Sequence, residues 1–429
     1  MSATTKLSLF HVGRLMTWGL FALVLLLAPM VFTSGLGMTV LSQMGIAIIA
    51  CLSYNMLLGQ GGMLSFGHAV YTGLGAFVAI HALNAIGGGT LPIPVSLVPV
   101  VGALAGMGFA VLFGYVTTRK SGTTFAMITL GLGELVFSMA LMVPEFFGGE
   151  GGVASNRVIG NGVMGITFGP AIQIYYLIAI YTFVAVLAMF AFTQTPLGRM
   201  LNAVRDNPER VEFVGYNTQL VRYISFIIAG FFAGMAGGLS ALNFEMVTGE
   251  VVSSARSGAY LLFTFLGGST YFFGPIIGAV LMVLAFVLFS EFTKAWLLYL
   301  GLIFLFMVMY APGGIASLIM MNARVAQFGK LKQLLTSYLS LAVTFVPAMA
   351  GAAAIVEMTY HLQLNASQGG ELNFLGVALN VMNPSSWIGA TVLLLVGAGL
   401  FEFARRRFAV QWKSVQEAIE KQLHPEDAA

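Results

Sequence analysis

What most limits this chain is the recurrence of apolar runs of about 17–25 residues, each long enough to cross a bilayer as an α-helix. Little charge separates them. Only 8% of the 429 residues are charged, against about 25% in soluble domains, which is too few to hydrate the surface of a soluble fold of this length. The runs are long and unbroken, which excludes an outer-membrane β-barrel, whose strands are short and alternate polar with apolar residues. The 52 glycines suit helices that approach closely in lipid. The expected fold is all-α: a polytopic transmembrane helical bundle of about ten core helices with about two more at the C-terminal end.

The expected spans are residues 15–33, 37–58, 63–86, 92–116, 123–143, 171–193, 223–244, 258–272, 274–292, 295–319, 336–357 and 386–404. The segments 63–86 and 258–272 are the two expected to be broken or half-spanning. Lys and Arg favour cytoplasmic loops, and every basic cluster falls after an even number of spans. Arg119-Lys120 follows four, Arg199 to Arg222 follows six, Arg324 to Lys332 follows ten, and Arg405-Arg406-Arg407 follows twelve. Both termini are therefore expected in the cytoplasm. Lys6 and Arg14 precede the apolar run from Leu15 to Phe32. Its length, Pro29 and the lack of a small-x-small cleavage site make it a retained helix rather than a signal peptide. The segment from Arg405 to Leu423 reads equally well as an amphipathic interfacial helix or as a solvated tail.

Net charge is +3 with no basic arm, so nothing points to nucleic acid. Cys51, the single cysteine, lies in an apolar run and reads as a small packing residue. There is no H-E-x-x-H spacing and no cysteine cluster, so no metal site is expected. A G-x-x-x-x-G-K-[ST] loop is also missing from the sequence. The chain is therefore expected not to be an enzyme, and any ATP that drives it is used by another polypeptide.

Rare polar groups inside the spans are the functional candidates. Glu134, in Ile128-Thr129-Leu130-Gly131-Leu132-Gly133-Glu134, is expected to face the bundle interior or a wet cavity or to be protonated, as a structural acceptor or as part of a path. Seven of the ten residues from Gly59 to His68 are glycine or polar, which should break a helix at membrane depth. Such backbone is tolerated only inside protein or along a cavity, and half-helix ends offer free N–H and C=O groups to a zwitterion. Gln60, Ser65 and His68 are the side chains there, with packing the plain alternative for His68. Glu245, Glu250 and Arg256 read as a solvated rim. The segment 193–222 is the longest polar stretch inside the chain. Two short helical pieces should flank Asn207-Pro208, with Gly215 as a stop; on composition alone a mere connector is the plainer reading, and docking onto a partner is the other.

At these stretches the chain resembles the permease family of branched-chain amino-acid ABC importers, most closely its LivM-type subunits. The resemblance is carried by Asn55 through Ala69, by Ile128 to Glu134 with Gly148-Gly149-Glu150-Gly151-Gly152, and by Thr195 to Gly215. Gly267-Gly268-Ser269, Gly274 to Ala279 and Tyr310 to Ile315 complete it. It implies a multi-pass permease of the bacterial inner membrane that works by alternating access. Its implied partners are a second homologous permease, two cytoplasmic ATP-binding-cassette subunits and an external solute-binding protein. The resemblance also implies that the 193–222 segment couples to the ATPases, with Arg205, Asp206, Asn207, Glu209 and Gly215 as the coupling surface. Gln60, Ser65, His68 and Glu134 would line the translocation path. No cofactor is expected in this chain.

The chain departs from the pattern twice. It continues about 100 residues past the usual family end near Leu318, so the expected organisation is a permease domain over 1–320, an extension over 321–404 and a tail over 405–429. Asn156-Arg157-Val158 also follows the glycine loop where another pattern is expected, which leaves the substrate open among branched-chain amino acids, urea or short amides, and aromatic compounds. A stand-alone secondary carrier or channel is the alternative of another class, although Glu134 is the main charge available for ion coupling.

Overall fold

The computed structural model describes residues 12–159, 167–364, 370–374 and 376–423; Lys6 and the end of the tail beyond 423 lie outside them. The protein is a polytopic helical bundle. Its first half runs α1 (Val12–Val31), α2 (Gly35–Asn55), a π-turn (Met56–Gln60), α3 (His68–Gly87), α4 (Val98–Thr117), α5 (Gly122–Met142) and α6 (Pro144–Phe147). Then follow β1 (Val153–Ala154), α7 (Ala171–Gln194), α8 (Pro196–Asp206), α9 (Pro208–Phe213), α10 (Thr218–Phe244), β2 (Met246–Val247), α11 (Ser254–Gly267) and α12 (Gly274–Leu284). The remainder is α13 (Ser290–Phe292), α14 (Trp296–Tyr310), α15 (Gly314–Gln327), α16 (Leu331–Leu364), the hairpin β3 (Glu371–Phe374) and β4 (Val377–Asn380), and α17 (Pro384–Leu423). Among the described residues nine helical segments are long and apolar enough to cross a membrane, and α14 with α15 passes the same test as one broken span.

Several expected boundaries move. The third span begins at His68 rather than near 63, and the segment expected at 258–272 is α11, too short at 14 residues to span alone. The span expected at 295–319 is two helices separated at Ala311–Gly313, where Pro312 removes a backbone donor and two glycines follow. At the C-terminal end the last span and the charged tail form one 40-residue helix, α17.

The chain divides into two compact units, Met1–Leu288 with Phe306–Ala316, and Phe289–Leu305 with Ser317–Ala429. In the first, α10 packs against α3 and α4 through glycines. A Cβ on Gly234 would lie 2.3 Å from the Gly102 carbonyl oxygen, and one on Gly237 would lie 1.9 Å from that of Thr72. In lipid the hydrophobic effect does not drive helices together, so close backbone approach through small residues supplies the packing. At the far end of α10, Arg157 holds the chain reversal. Its guanidinium donates to the carbonyls of Leu242, Asn243, Phe168 and Gly169 and pairs with Glu245 at 3.5 Å. These carbonyls include two that the end of α10 leaves without helical partners. The departure at Asn156-Arg157-Val158 thus has a structural role.

In the second unit α16 and α17 pack closely at Gly351 and Gly397, where a Cβ would meet the backbone nitrogens of Leu394 and Ala348 at 2.5 and 2.4 Å. The hydroxyls of Thr293 and Tyr299 donate to Glu357 of α16. The charged end of α17 is neither a free tail nor a separate interfacial helix, because Val415 and Ile419 are buried with Val325 and Leu334.

Candidate functional site: a broken helix joined to a polar one

Between α2 and α3 the backbone leaves the α-helix. The π-turn Met56–Gln60 is followed by residues 61–67 without helical structure, and Gly62 takes a positive φ of 63°. Glycines at 59, 61, 62 and 67 make this break possible and also allow its burial. A Cβ on Gly67 would lie 2.2 Å from the Thr129 carbonyl oxygen of α5. Protein hydroxyls satisfy freed amides here: Phe66 N–H donates to Thr129 Oγ1 at 3.1 Å and Ala69 N–H to Ser257 Oγ at 3.0 Å. Irregular backbone inside a bundle requires partners of this kind, and π-turns recur at functional sites.

His68, the first residue of α3, is fully buried. Ser53 donates its one hydroxyl hydrogen to the Ala50 carbonyl at 2.7 Å and also lies 2.9 Å from His68 Nε2. The hydroxyl therefore accepts from Nε2–H, which assigns that tautomer and leaves Nδ1 as a bare acceptor. The rings of Tyr54, Tyr71 and Tyr260 stand around the imidazole at 5.2, 6.3 and 6.4 Å. Five buried polar atoms between positions 54 and 68 have no hydrogen-bond partner: Tyr54 Oη, Asn55 Oδ1, Gln60 Oε1, Ser65 Oγ and His68 Nδ1. Native interiors leave few such atoms, and this short stretch gathers five of them. Gln60, Ser65 and His68 all lie on this broken stretch, with Ser65 and His68 buried.

The polar stretch after α7 folds as two capped helices. Thr195 accepts from Gly198 N–H and Asn207 from Arg210 N–H, with Pro196 and Pro208 at the first helical positions, where a missing N–H is harmless. Gly215, at φ 96°, ends α9. Leu201 and Val204 bury one face of α8, and Arg205 reaches from it into the break. Its guanidinium donates to the Gly59 carbonyl, and a Cβ on Gly62 would lie 2.8 Å from its Cγ. Arg205 also pairs with Asp206 at 2.9 Å. Asp206, Glu209 and Gly215 are exposed and Asn207 half-buried. Beside them Phe213 and Val214 are 89% and 74% exposed, an apolar tip on a polar segment.

Glu134 departs from expectation. It does not face the interior of this chain; it is exposed on the outer face of α5, with Met127, Gly131 and Ser138 one turn apart along that face. The opposite face of the same helix, through Thr129 and Gly133, covers the break. Two further participants were illegible in the sequence. Ser53 and Tyr260 sit in ordinary apolar runs, and only the fold sets them beside His68. Arg256, read as a rim residue, lines a cavity.

The fold and the site together define a polytopic membrane protein with a polar helix break buried in its bundle and a short charged helix braced on that break. The chain belongs to the family described as the branched-chain amino acid transport system permease component, whose model matches residues 37–312. It is similar to the high-affinity branched-chain amino acid transport system permease protein LivM of Escherichia coli strain K12, at 27% identity over 294 residues, covering 63% of this chain and 67% of that protein. The LivM protein of Salmonella typhimurium is 29% identical over the same coverage. The permease protein LivH of Escherichia coli strain K12 is 26% identical over 263 residues, 57% of this chain and 82% of its own. No solved structure matches significantly.

Proposed function

We propose that this chain is a transmembrane permease subunit of an ATP-binding-cassette importer, moving branched-chain or related amino acids across the inner membrane by alternating access. The observation that carries the reading is the bond from Arg205 to Gly59. It ties a charged helix to a break where the bundle's backbone is irregular and polar and where five buried side-chain atoms are short of partners. In this reading α8 and α9 lie in the cytoplasm, with both termini on the same side. The exposed Phe213 and Val214 tip, flanked by Asp206, Asn207, Glu209 and Gly215, docks onto a separate ATPase, which uses the ATP. Movement of α8 pulls on Gly59 and changes access to Gln60, Ser65 and His68.

The outer face of α5 meets a second, homologous permease. A carboxylate left against lipid at mid-helix costs about 3 kcal/mol, so Glu134 calls for a protein or aqueous neighbour. Between two permeases it would line a shared path. A solute-binding protein would deliver at the end of the bundle opposite α8.

Gentle solubilisation of the chain from its native membrane, followed by mass spectrometry of what co-purifies, tests the reading. A second permease and P-loop ATPases are expected. A lone chain or homo-oligomer that transports after reconstitution without ATP would overturn it in favour of a carrier or channel.

A further inference from the structure

Beside the break, α2, α3, α10, α11 and α12 line a partly open cavity of about 100 Å³. One water needs roughly 10–15 Å³ by the same kind of measure, so this space fits a small organic molecule. Its polar lining is Arg256, Gln43, Ser240, Thr72 and Tyr260, and its apolar wall includes Phe244, Met282 and Phe286. No carboxylate lines it. Arg256 is half-buried in the first turn of α11. Among the described residues its guanidinium makes no ion pair and donates no side-chain hydrogen bond. The planar fork of this unpaired arginine matches a carboxylate. Tyr260 also lines the cavity, and its ring lies 6.4 Å from that of His68. The cavity therefore abuts the polar break.

We propose that this cavity is a binding site for a small carboxylate with a short apolar body, the carboxylate on Arg256 and the body against Phe244, Met282 and Phe286. The permease reading enters only as the source of the ligand, a solute arriving at this end of the bundle. An anionic lipid presents a similar charge and is the other source.

The test is equilibrium binding to the purified full chain in phosphatidylcholine nanodiscs, without ATPases. Its three probes are L-leucine, 4-methylpentanoate, which lacks the ammonium group, and 3-methylbutylamine, which lacks the carboxylate. Leucine and 4-methylpentanoate are expected to bind and the amine to bind at least tenfold more weakly. Arg256→Gln should lose at least tenfold in affinity for both carboxylates, and Arg256→Lys should recover part of it in an equally monodisperse protein. Equal affinity for the amine, no binding of either carboxylate, or wild-type affinity in Arg256→Gln would overturn the proposal. Weakened 4-methylpentanoate binding in discs containing phosphatidylglycerol would identify lipid as a competing occupant of the same site. Unchanged binding there assigns the site to the solute. The readout needs no transport, so the site can stand if the ATP-driven reading falls, and the reverse.

Discussion

Arg205 and Gly59 are 146 residues apart in sequence, and the guanidinium of the first donates to the backbone carbonyl of the second. A side chain on a short capped helix thereby bonds to a carbonyl of the π-turn. The neighbouring pair with Asp206 is solvent-exposed, and such pairs contribute roughly 0–1 kcal/mol, so the bond to Gly59 is the informative one.

Arg205→Glu should insert and assemble normally yet lose ATP-dependent uptake in vesicles carrying the whole transporter. Arg205→Lys should keep a fraction of it, because the ammonium reaches the carbonyl without the fork geometry. Wild-type uptake by the Glu variant, at matched membrane abundance, would end the coupling role.

His68 and Ser53 form a buried pair, and deleting one partner leaves the other unsatisfied at about 1–3 kcal/mol. Ser53→Ala should therefore lower the thermal midpoint of the detergent-solubilised chain. If His68 lines a path, His68→Gln should slow uptake more than Ser53→Ala does at equal stability. Matched uptake in the two would reduce His68 to a packing residue.

Glycines separate internal packing from external. Gly234→Leu would drive a side chain into the Gly102 and Gly106 backbones, 2.3 and 2.8 Å from its first added carbon, and should prevent a monodisperse product. Gly131 meets nothing within 4 Å, so Gly131→Leu should leave this chain folded. The same change should weaken association with a second permease, since it enlarges the α5 face beside Glu134. Undiminished co-purification of that partner with Gly131→Leu would place the interface elsewhere.

Glu357 receives the hydroxyls of Thr293 and Tyr299. Its replacement by Ala should destabilise the C-terminal unit by about 2 kcal/mol, the scale for hydrogen bonds to charged groups. Faster protease cleavage between positions 364 and 384, compared with wild type, would report it. An unchanged digestion rate would show that the helix packing at Gly351 and Gly397 suffices.

Membrane residence, the positions of most spans, a helix break within Gly59 to His68 and the paired helices around Asn207-Pro208 were all legible in the sequence. Each is a local consequence of composition: an apolar run must be helical in lipid, clustered glycines cannot hold a helix, and Pro after Asn starts a new one. Other boundaries were not local matters. The continuation of α17 through its arginines depends on where Val415 and Ile419 find apolar partners, and the close approach of Gly268 to Gly314 is set by packing between helices.

The sequence by itself determined that the chain crosses a membrane many times, that one helix breaks among polar residues, and that a charged segment stands apart from the lipid-facing spans. Only the tertiary structure decided which of these meet. It put Arg205 on Gly59, brought Tyr54 and Tyr260 beside His68, turned Glu134 outward and left Arg256 facing a cavity. The physical reason is that propensity and hydropathy act over a few neighbouring residues. The partner of a buried polar group is chosen by packing between helices hundreds of residues apart in the chain, and no local pattern records that choice.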